Sequence, residues 1–161
     1  EGGYSKDLKY GTWKYWTDMG FLKDEGRYTI VKDNIDKGIN KRALSHSYKD
    51  GMWISYSVLD KKKVSKGSYI KGKKNGIWQY YYPGGEIVSN EISYKNGLLN
   101  GNNKEYSRRG EIKSEISYKD NKKHGHLKIY SKSEKLILHV IYKNGAKTKD
   151  ILKKKAYKYS K

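Results

Sequence analysis

The residues of this chain that could do chemistry are first of all its carboxylates. Glu25, Glu91 and Glu115 each stand three residues before a tyrosine, in surroundings that repeat along the chain. Paired carboxylates can act as general acid and base, but such work needs a closed pocket that gives the two groups different environments. Because these glutamates occur once per repeated segment, we expect them to be cross-strand charge or hydrogen-bond partners.

The other chemically capable side chains do not form a motif. His124 and His126 could offer two metal ligands, yet the spacing places no third ligand beside them. The chain has no Cys, which excludes disulfides, thiolate metal sites and cysteine nucleophiles. No phosphate-binding, dinucleotide or serine-nucleophile motif is present. The sequence therefore predicts no catalytic residue, no metal site and no cofactor, and indicates a protein that is not an enzyme.

The elements that position these residues are repeats. A tyrosine recurs every 20 to 25 residues. In four units a glycine follows seven residues later, and in the unit of Tyr48 a shortened turn reaches Gly51 directly. Two residues after the glycine stands a large side chain in most units, with Asn103 as the exception. The recurring tyrosines are Tyr4, Tyr28, Tyr48, Tyr69, Tyr94, Tyr118 and Tyr142, and the large side chains are Trp13, Trp53, Trp78 and Leu127.

Each run between these landmarks predicts a β-strand. The runs are short, rich in Ile, Tyr, Trp and Val, and bounded by Gly, Asn or Asp. Asn-Gly and Asp-Gly pairs between such runs predict hairpin turns, because those turns need positive φ. We expect structural turns at six glycines, namely Gly51, Gly76, Gly97, Gly101, Gly125 and Gly145.

The predicted fold is all-β: an elongated, single-layer, strongly twisted antiparallel sheet of tandem β-hairpins. The hairpin repeats occupy residues 1–149, and residues 150–161 form a basic C-terminal cap or tail. Residues 30–41 interrupt the pattern, and we expect an irregular unit or an altered turn there.

The repeated motif resembles a known family. Its consensus is glycine, x, aromatic, x, x, tyrosine, then G-E-I, and finally E-x-x-Y-x-N-G-x-x-N-G, carried best by residues 76–94 and 101–118. This pattern resembles the MORN-repeat variant family, in particular its bacterial YwqK-type, antitoxin-like branch. The resemblance implies a solenoid of hairpins (a MORN-like solenoid) that makes protein or membrane-surface contacts.

Charge and aromatic content indicate the kind of partner. The chain has 36 basic and 17 acidic residues, a formal net charge of +19 that attracts acidic partners. We expect a protein partner, held on an aromatic-lined, basic sheet surface, with anionic membrane lipid or a neutralised toxin as alternatives. A solvated, aggregation-resistant surface would explain the lysines equally well. Nucleic acid is disfavoured, because no nucleic-acid-binding module is visible. The expected contact residues are Trp13, Trp53, Tyr69, Trp78, Tyr94, Tyr118 and Tyr142.

Two expectations concern the state of the protein. The chain begins at Glu1 and not at Met, which favours an exported or cell-surface product, with a trimmed cytoplasmic chain as the alternative. Lysine-rich edges oppose the pairing of open sheet ends, so we expect a monomer.

Overall fold

The structure is a computed structural model, and it describes residues 1–34 and 43–152. These residues fold into strands joined by turns and contain no helix, as the sequence predicts. None of the described residues belongs to a helix long and apolar enough to cross a membrane. The all-β class is therefore confirmed.

Thirteen strands are found among the described residues. Several are interrupted by a bulge, and β8 and β9 are two parts of one run broken at Asn100. The strands are β1 (Gly3–Ser5), β2 (Leu8–Trp16), β3 (Leu22–Asn34), β4 (Ala43–Tyr56), β5 (Lys63–Ile70), β6 (Lys73–Tyr81), β7 (Val88–Lys95), β8 (Leu98–Leu99), β9 (Gly101–Tyr106), β10 (Ile112–Lys119), β11 (Lys122–Tyr130), β12 (Leu136–Lys143) and β13 (Ala146–Leu152).

All the strands lie in one open antiparallel sheet. Strand order in space is the same as order along the chain, with β8 and β9 both paired to β7. Each strand therefore contacts the strands that precede and follow it in sequence, so the molecule is a linear array. Strand β13 runs to Leu152, past the predicted boundary at residue 149, and the remainder of the predicted tail lies outside the described residues.

Two kinds of turn alternate along the chain, and each kind occupies one rim of the sheet. The first rim, called here the turn ledge, consists of two-residue hairpin turns with positive φ at both residues, which matches strand twist. Gly97 and Gly145 lie in such turns, as predicted. The ledge turns are Lys6-Asp7, Lys71-Gly72, Asn96-Gly97, Asp120-Asn121 and Asn144-Gly145.

Four of the six glycines predicted as turns lie inside strands instead. Gly76, at φ 78°, pairs with Tyr94 and begins a bulge in which three residues of β6 face the single residue Gly67 of β5. A positive φ lets a strand bend without losing its partner on the other side. The same arrangement pairs the repeat glycine of each unit with the next repeat tyrosine, at Gly51↔Tyr69, Gly101↔Tyr118 and Gly125↔Tyr142.

The second rim carries longer turns, and one hairpin interrupts the first rim. Gly20, Gly85 and Gly110 close turns of the second rim at positive φ, and Pro83 lies in one of these turns as expected. On the first rim, β3 and β4 continue past the ledge as a two-stranded ribbon, in which Thr29–Asn34 pair with Ala43–Tyr48. The irregular segment predicted for residues 30–41 thus begins as regular strand, and residues 35–42 lie outside the described residues.

Candidate functional site

A ladder of alternating tyrosine and tryptophan rings crosses one face of the N-terminal half of the sheet, called here the tryptophan face. Tyr28 meets Trp53 edge-on at a centroid distance of 5.3 Å, and Tyr69 meets Trp78 in the same way at 5.0 Å. Such T-shaped contacts stabilise aromatic pairs beyond their buried area. The rungs of this ladder are Tyr4, Trp13, Tyr28, Trp53, Tyr69 and Trp78, and among the described residues its ring contacts do not reach the repeat tyrosines Tyr94, Tyr118 and Tyr142.

The three ladder tryptophans are core residues and are not accessible to a partner. Trp13, Trp53 and Trp78 are only 3–5% exposed, so their prediction as contact residues is wrong. Each indole N–H donates to a backbone carbonyl of the preceding strand, as from Trp78 Nε1 to the Ser68 carbonyl at 3.1 Å. A single-layer sheet can bury an indole only by laying it flat over its own backbone.

Three glycines that the sequence analysis missed make this burial possible. A Cβ atom built on Gly67 would lie 2.3 Å from the Trp78 ring, and one on Gly26 would lie 2.2 Å from the Trp53 ring. Gly2 has the same relation to Trp13. The sequence signal is a glycine two residues before Tyr4, Tyr28 and Tyr69, whose strands each precede a strand that contains a ladder tryptophan.

A lysine covers each ladder tryptophan from the outside. Lys49 Nζ lies 3.9 Å from the centroid of the Trp53 ring, and Lys74 Nζ lies 4.1 Å from that of Trp78. Lys9 does the same over Trp13. Burial lowers the pKa of Lys49. The motif K-x-G-x-W, readable in the sequence but overlooked, thus builds three aromatic sites that the chain's own lysines already occupy.

The same face changes character in the C-terminal half. Asn103 and Leu127 stand where the earlier units have Trp, and Ile116 pairs directly with both. Tyr118 and Tyr142 are half-buried, and no ring-to-ring contact involves them within the part of the chain that the structure describes. Tyr94 is also half-buried, with its side chain hydrogen-bonded to Tyr80 and the Lys74 ammonium 5.1 Å from its ring centroid. The Lys123 ammonium lies at the same distance from the ring centroid of Tyr142. The predicted contact residues Tyr94, Tyr118 and Tyr142 therefore form a half-exposed row, called here the open tyrosine row.

The opposite face holds the repeated glutamates, and they are structural as expected. The Tyr56 hydroxyl donates to Glu25 at 2.6 Å, Tyr106 to Glu91 at 2.9 Å, and Tyr130 to Glu115 at 3.1 Å. The three glutamates belong to a row of directly opposed residues that crosses the sheet. The row runs Lys14, Glu25, Ile54, Lys66, Gln79, Glu91, Lys104, Glu115, Lys128 and His139.

The pKa values on this face reflect its hydrogen bonds. Donation by Gln79 and by Tyr106 lowers the pKa of Glu91. Burial and the bond to Glu91 raise the pKa of Tyr106 to about 12. A lowered carboxyl pKa and a raised tyrosine pKa are suited to a fixed hydrogen bond and not to proton transfer near neutral pH.

Histidines form a pair on the surface. His126 Nδ1 lies 2.8 Å from His139 Nε2, so one ring nitrogen donates to the other. Within residues 1–34 and 43–152 no group of three or more His, Cys, Asp or Glu could hold a metal ion.

The turn ledge is a rigid row of stacked turns. The amide of Gly97 donates to the Lys74 carbonyl at 2.8 Å, and the amide of Asn121 donates to the Leu99 carbonyl at 3.0 Å. The Asn121 side chain in turn accepts the Leu99 amide at 2.7 Å. Each turn is thus bonded to the unit before it, and the ledge cannot splay without breaking these bonds.

The ledge is also strongly basic. Exposed lysines flank every turn, and among the described residues only Asp7 and Asp120 place carboxylates in these turns. Among the described ion pairs, the one on this rim joins Lys147 to Asp150. Six exposed lysines that flank the turns form none of the described ion pairs. Those exposed lysines are Lys71, Lys73, Lys95, Lys119, Lys122 and Lys143.

A depression of ≈ 490 Å³ lies on the ledge between two successive turns. Its polar lining includes Lys95, Lys119 and His124, and its apolar lining includes Leu98 and Tyr118. Asp120 also lines it, and its carboxylate accepts a hydrogen bond from Asn100 at 3.0 Å. The depression joins the open tyrosine row to the basic ledge, and it can hold a side chain that is anionic or apolar.

The chain matches no family model and no curated protein sequence.

Proposed function

We propose that the chain is a non-enzymatic repeat module that binds a protein partner at the open tyrosine row and the adjoining turn ledge. The observation that carries the proposal is the change along the tryptophan face. In the N-terminal half, buried indoles and the lysines over them fill this face, whereas the C-terminal half has no indole. Its rings Tyr94, Tyr118 and Tyr142 stay half-exposed, with a single lysine ammonium beside Tyr94 and another beside Tyr142. Half-exposed tyrosines are favoured contact residues at interfaces, because they combine apolar area with a polar tip.

The test is capture of a partner from extracts of cells that naturally make the protein, followed by a saturation curve with the purified partner. A variant with Tyr94, Tyr118 and Tyr142 changed to Ser is compared with one in which the exposed residues Tyr10, Met19 and Leu59 are changed to Ser. We expect the first variant to lose binding and the second to keep it. Equal binding by both folded variants would overturn the proposal. A tight one-to-one complex with a toxin would identify the antitoxin-like alternative as a case of the same function.

A second candidate, electrostatic binding to anionic membrane surfaces, is favoured by the lysines of the ledge. Each lysine near an anionic bilayer contributes about 1 kcal/mol, and this attraction is screened by salt. Sedimentation with phosphatidylserine vesicles over a series of salt concentrations tests it. Binding that stays constant at high ionic strength would exclude a purely electrostatic attachment.

A further inference from the structure

We infer that the turn ledge binds an extended acidic peptide segment of the partner. This inference rests on the proposed function and names the chemistry of the partner. The ledge offers, at every turn from Lys71 to Lys143, lysines that form no ion pair within the described residues, together with the depression beside Tyr118. Because the turns are hydrogen-bonded to one another, these charges are held in place before binding and lose little freedom on binding.

The spacing of the ledge suits an extended chain. Successive turns are two strands apart, or about 10 Å, since neighbouring strands lie about 4.8 Å apart. The four turns from Lys71-Gly72 to Asn144-Gly145 therefore span about 29 Å along the axis of the sheet, so an extended segment that follows the twisted rim needs at least about nine residues at about 3.3 Å per residue. Acidic side chains on one side of such a segment would face successive lysines.

The geometry disfavours a flat membrane as occupant of the whole ledge. Adjacent strands rotate by about 20–25°, so successive turns rotate by about 40–50° and the ledge follows a helical path. A flat surface then meets only one or two turns at a time, whereas a flexible chain can follow them all. The ribbon of Thr29–Asn34 and Ala43–Tyr48 also extends about 20 Å past the ledge, between the turns Lys6-Asp7 and Lys71-Gly72.

The side-chain chemistry disfavours nucleic acid. Arginine is the side chain that best matches phosphate, but Arg108 and Arg109 lie in a turn of the opposite rim, and Arg27 lies in β3, before the four turns that begin at Lys71-Gly72. Single strands are held by rows of exposed rings on which bases stack, whereas the rings of the open tyrosine row beside the ledge are half-buried. Lysine pairs with a carboxylate as a point charge, and the apolar wall at Leu98 accommodates the stem of a glutamate.

The experiment measures fluorescence anisotropy with a labelled ten-residue peptide of alternating glutamate and serine, at physiological salt. An oligothymidylate of equal charge and phosphatidylserine vesicles are measured in parallel. The ledge variant carries Lys95→Glu, Lys119→Glu, Lys122→Glu and Lys143→Glu. The control variant has the same net charge and carries Lys62→Glu, Arg109→Glu, Lys132→Glu and Lys135→Glu on the opposite rim. Circular dichroism establishes that both variants are folded.

We expect saturable peptide binding that weakens about tenfold or more in the ledge variant and less than about twofold in the control. Equal weakening in both variants would mean that net charge alone attracts the peptide, and would overturn the inference. Tighter binding of the oligothymidylate or of the vesicles, again dependent on the ledge, would replace the peptide by a phosphate-bearing occupant. If no anionic probe binds while the natural partner still requires the open tyrosine row, the inference fails and the proposed function stands.

Discussion

At the scale of single residues, the pairing of glycine with tryptophan decides where the sheet has a core. Where a unit has Trp, the residue two before the repeat tyrosine of the preceding strand is Gly, as with Gly67 and Trp78. Where the large side chain is Leu127, the matching residue is Ile116, which lies directly opposite it. Gly with Trp and Ile with Leu fill similar space, the first from one strand and the second from both. The effects on stability of the residues at these two facing positions should therefore be coupled.

This coupling gives a prediction for stability. Gly67→Ala should destabilise the protein by about 1–3 kcal/mol, because its new Cβ meets the buried Trp78 ring and overpacks it. In the Trp78→Leu background the same substitution should cost at least about 1 kcal/mol less. Urea denaturation of the four variants measures the cycle. Additive losses in the free energy of unfolding would contradict the proposed packing. A double variant with Gly67 changed to Ile and Trp78 changed to Leu reproduces the natural pair of Ile116 and Leu127.

At the scale of elements, the hairpin turns determine both the register of the strands and the bonds between units. Asn121 adopts a positive φ of 65°, and its side chain and amide both bond to Leu99 of the preceding unit. Few residues other than Gly, Asn and Asp tolerate this backbone conformation. One asparagine therefore closes a hairpin and attaches it to its neighbour.

Two substitutions at this position separate the two roles. Asn121→Gly keeps the backbone conformation but loses the side-chain bond to the Leu99 amide, at a cost of about 1 kcal/mol. Asn121→Ala should cost about 1 kcal/mol more, since alanine is strained at positive φ. Amide exchange of Leu99 should accelerate in both variants. Unchanged protection of that amide would show that the bond between the units contributes nothing.

The sequence predicted the strands better than it predicted the turns and bulges between them. The strand composition and the Asn-Gly pairs were sufficient to predict an antiparallel hairpin array, and Gly97 and Gly145 are turns as expected. Gly51 and Gly76 were misassigned, because a glycine that bends a strand at a bulge has the same neighbours in sequence as one that closes a hairpin. Only the pairing of the glycine with the next repeat tyrosine distinguishes the two.

The sequence identified the repeat tyrosines but not which of their rings are covered. Half-exposed Tyr94, Tyr118 and Tyr142 lie in one row, but nothing local distinguishes these rings from the covered ring of Tyr69. The ring of Tyr69 is covered because the next strand has Trp two residues after its repeat glycine and Lys two residues before that glycine. These residues can be read from the sequence, but their effect on the tyrosine can be predicted only when the pairing of the strands is known.

At the scale of the whole molecule, the sheet is asymmetric in how it is stabilised. All the tryptophans lie at or before residue 78, and the N-terminal half contains three of the four almost fully buried apolar side chains among the described residues, with Val140 as the fourth. The stability of a linear array is approximately a sum of unit and neighbour contributions. The two halves should therefore respond separately to a local change.

Leu127→Ala tests this separation. Truncating Leu127 should cost about 2–3 kcal/mol at its place in the sheet, because the contact with Ile116 and Val140 is reduced. In urea, far-UV circular dichroism should then show an early transition, whereas tryptophan fluorescence should keep its original midpoint. A single coincident transition, shifted in both signals, would show that the sheet unfolds as one cooperative unit.

The agreement between strand order and chain order has a consequence for synthesis on the ribosome. Every described strand pairs only with strands that are near it in sequence, so each new hairpin finds its partner already made. Such local topology has a low contact order, which favours rapid folding. The nascent chain can thus add one hairpin at a time to a growing edge, and the tryptophan-rich half emerges first. We expect it to serve as the seed on which the C-terminal half is laid down.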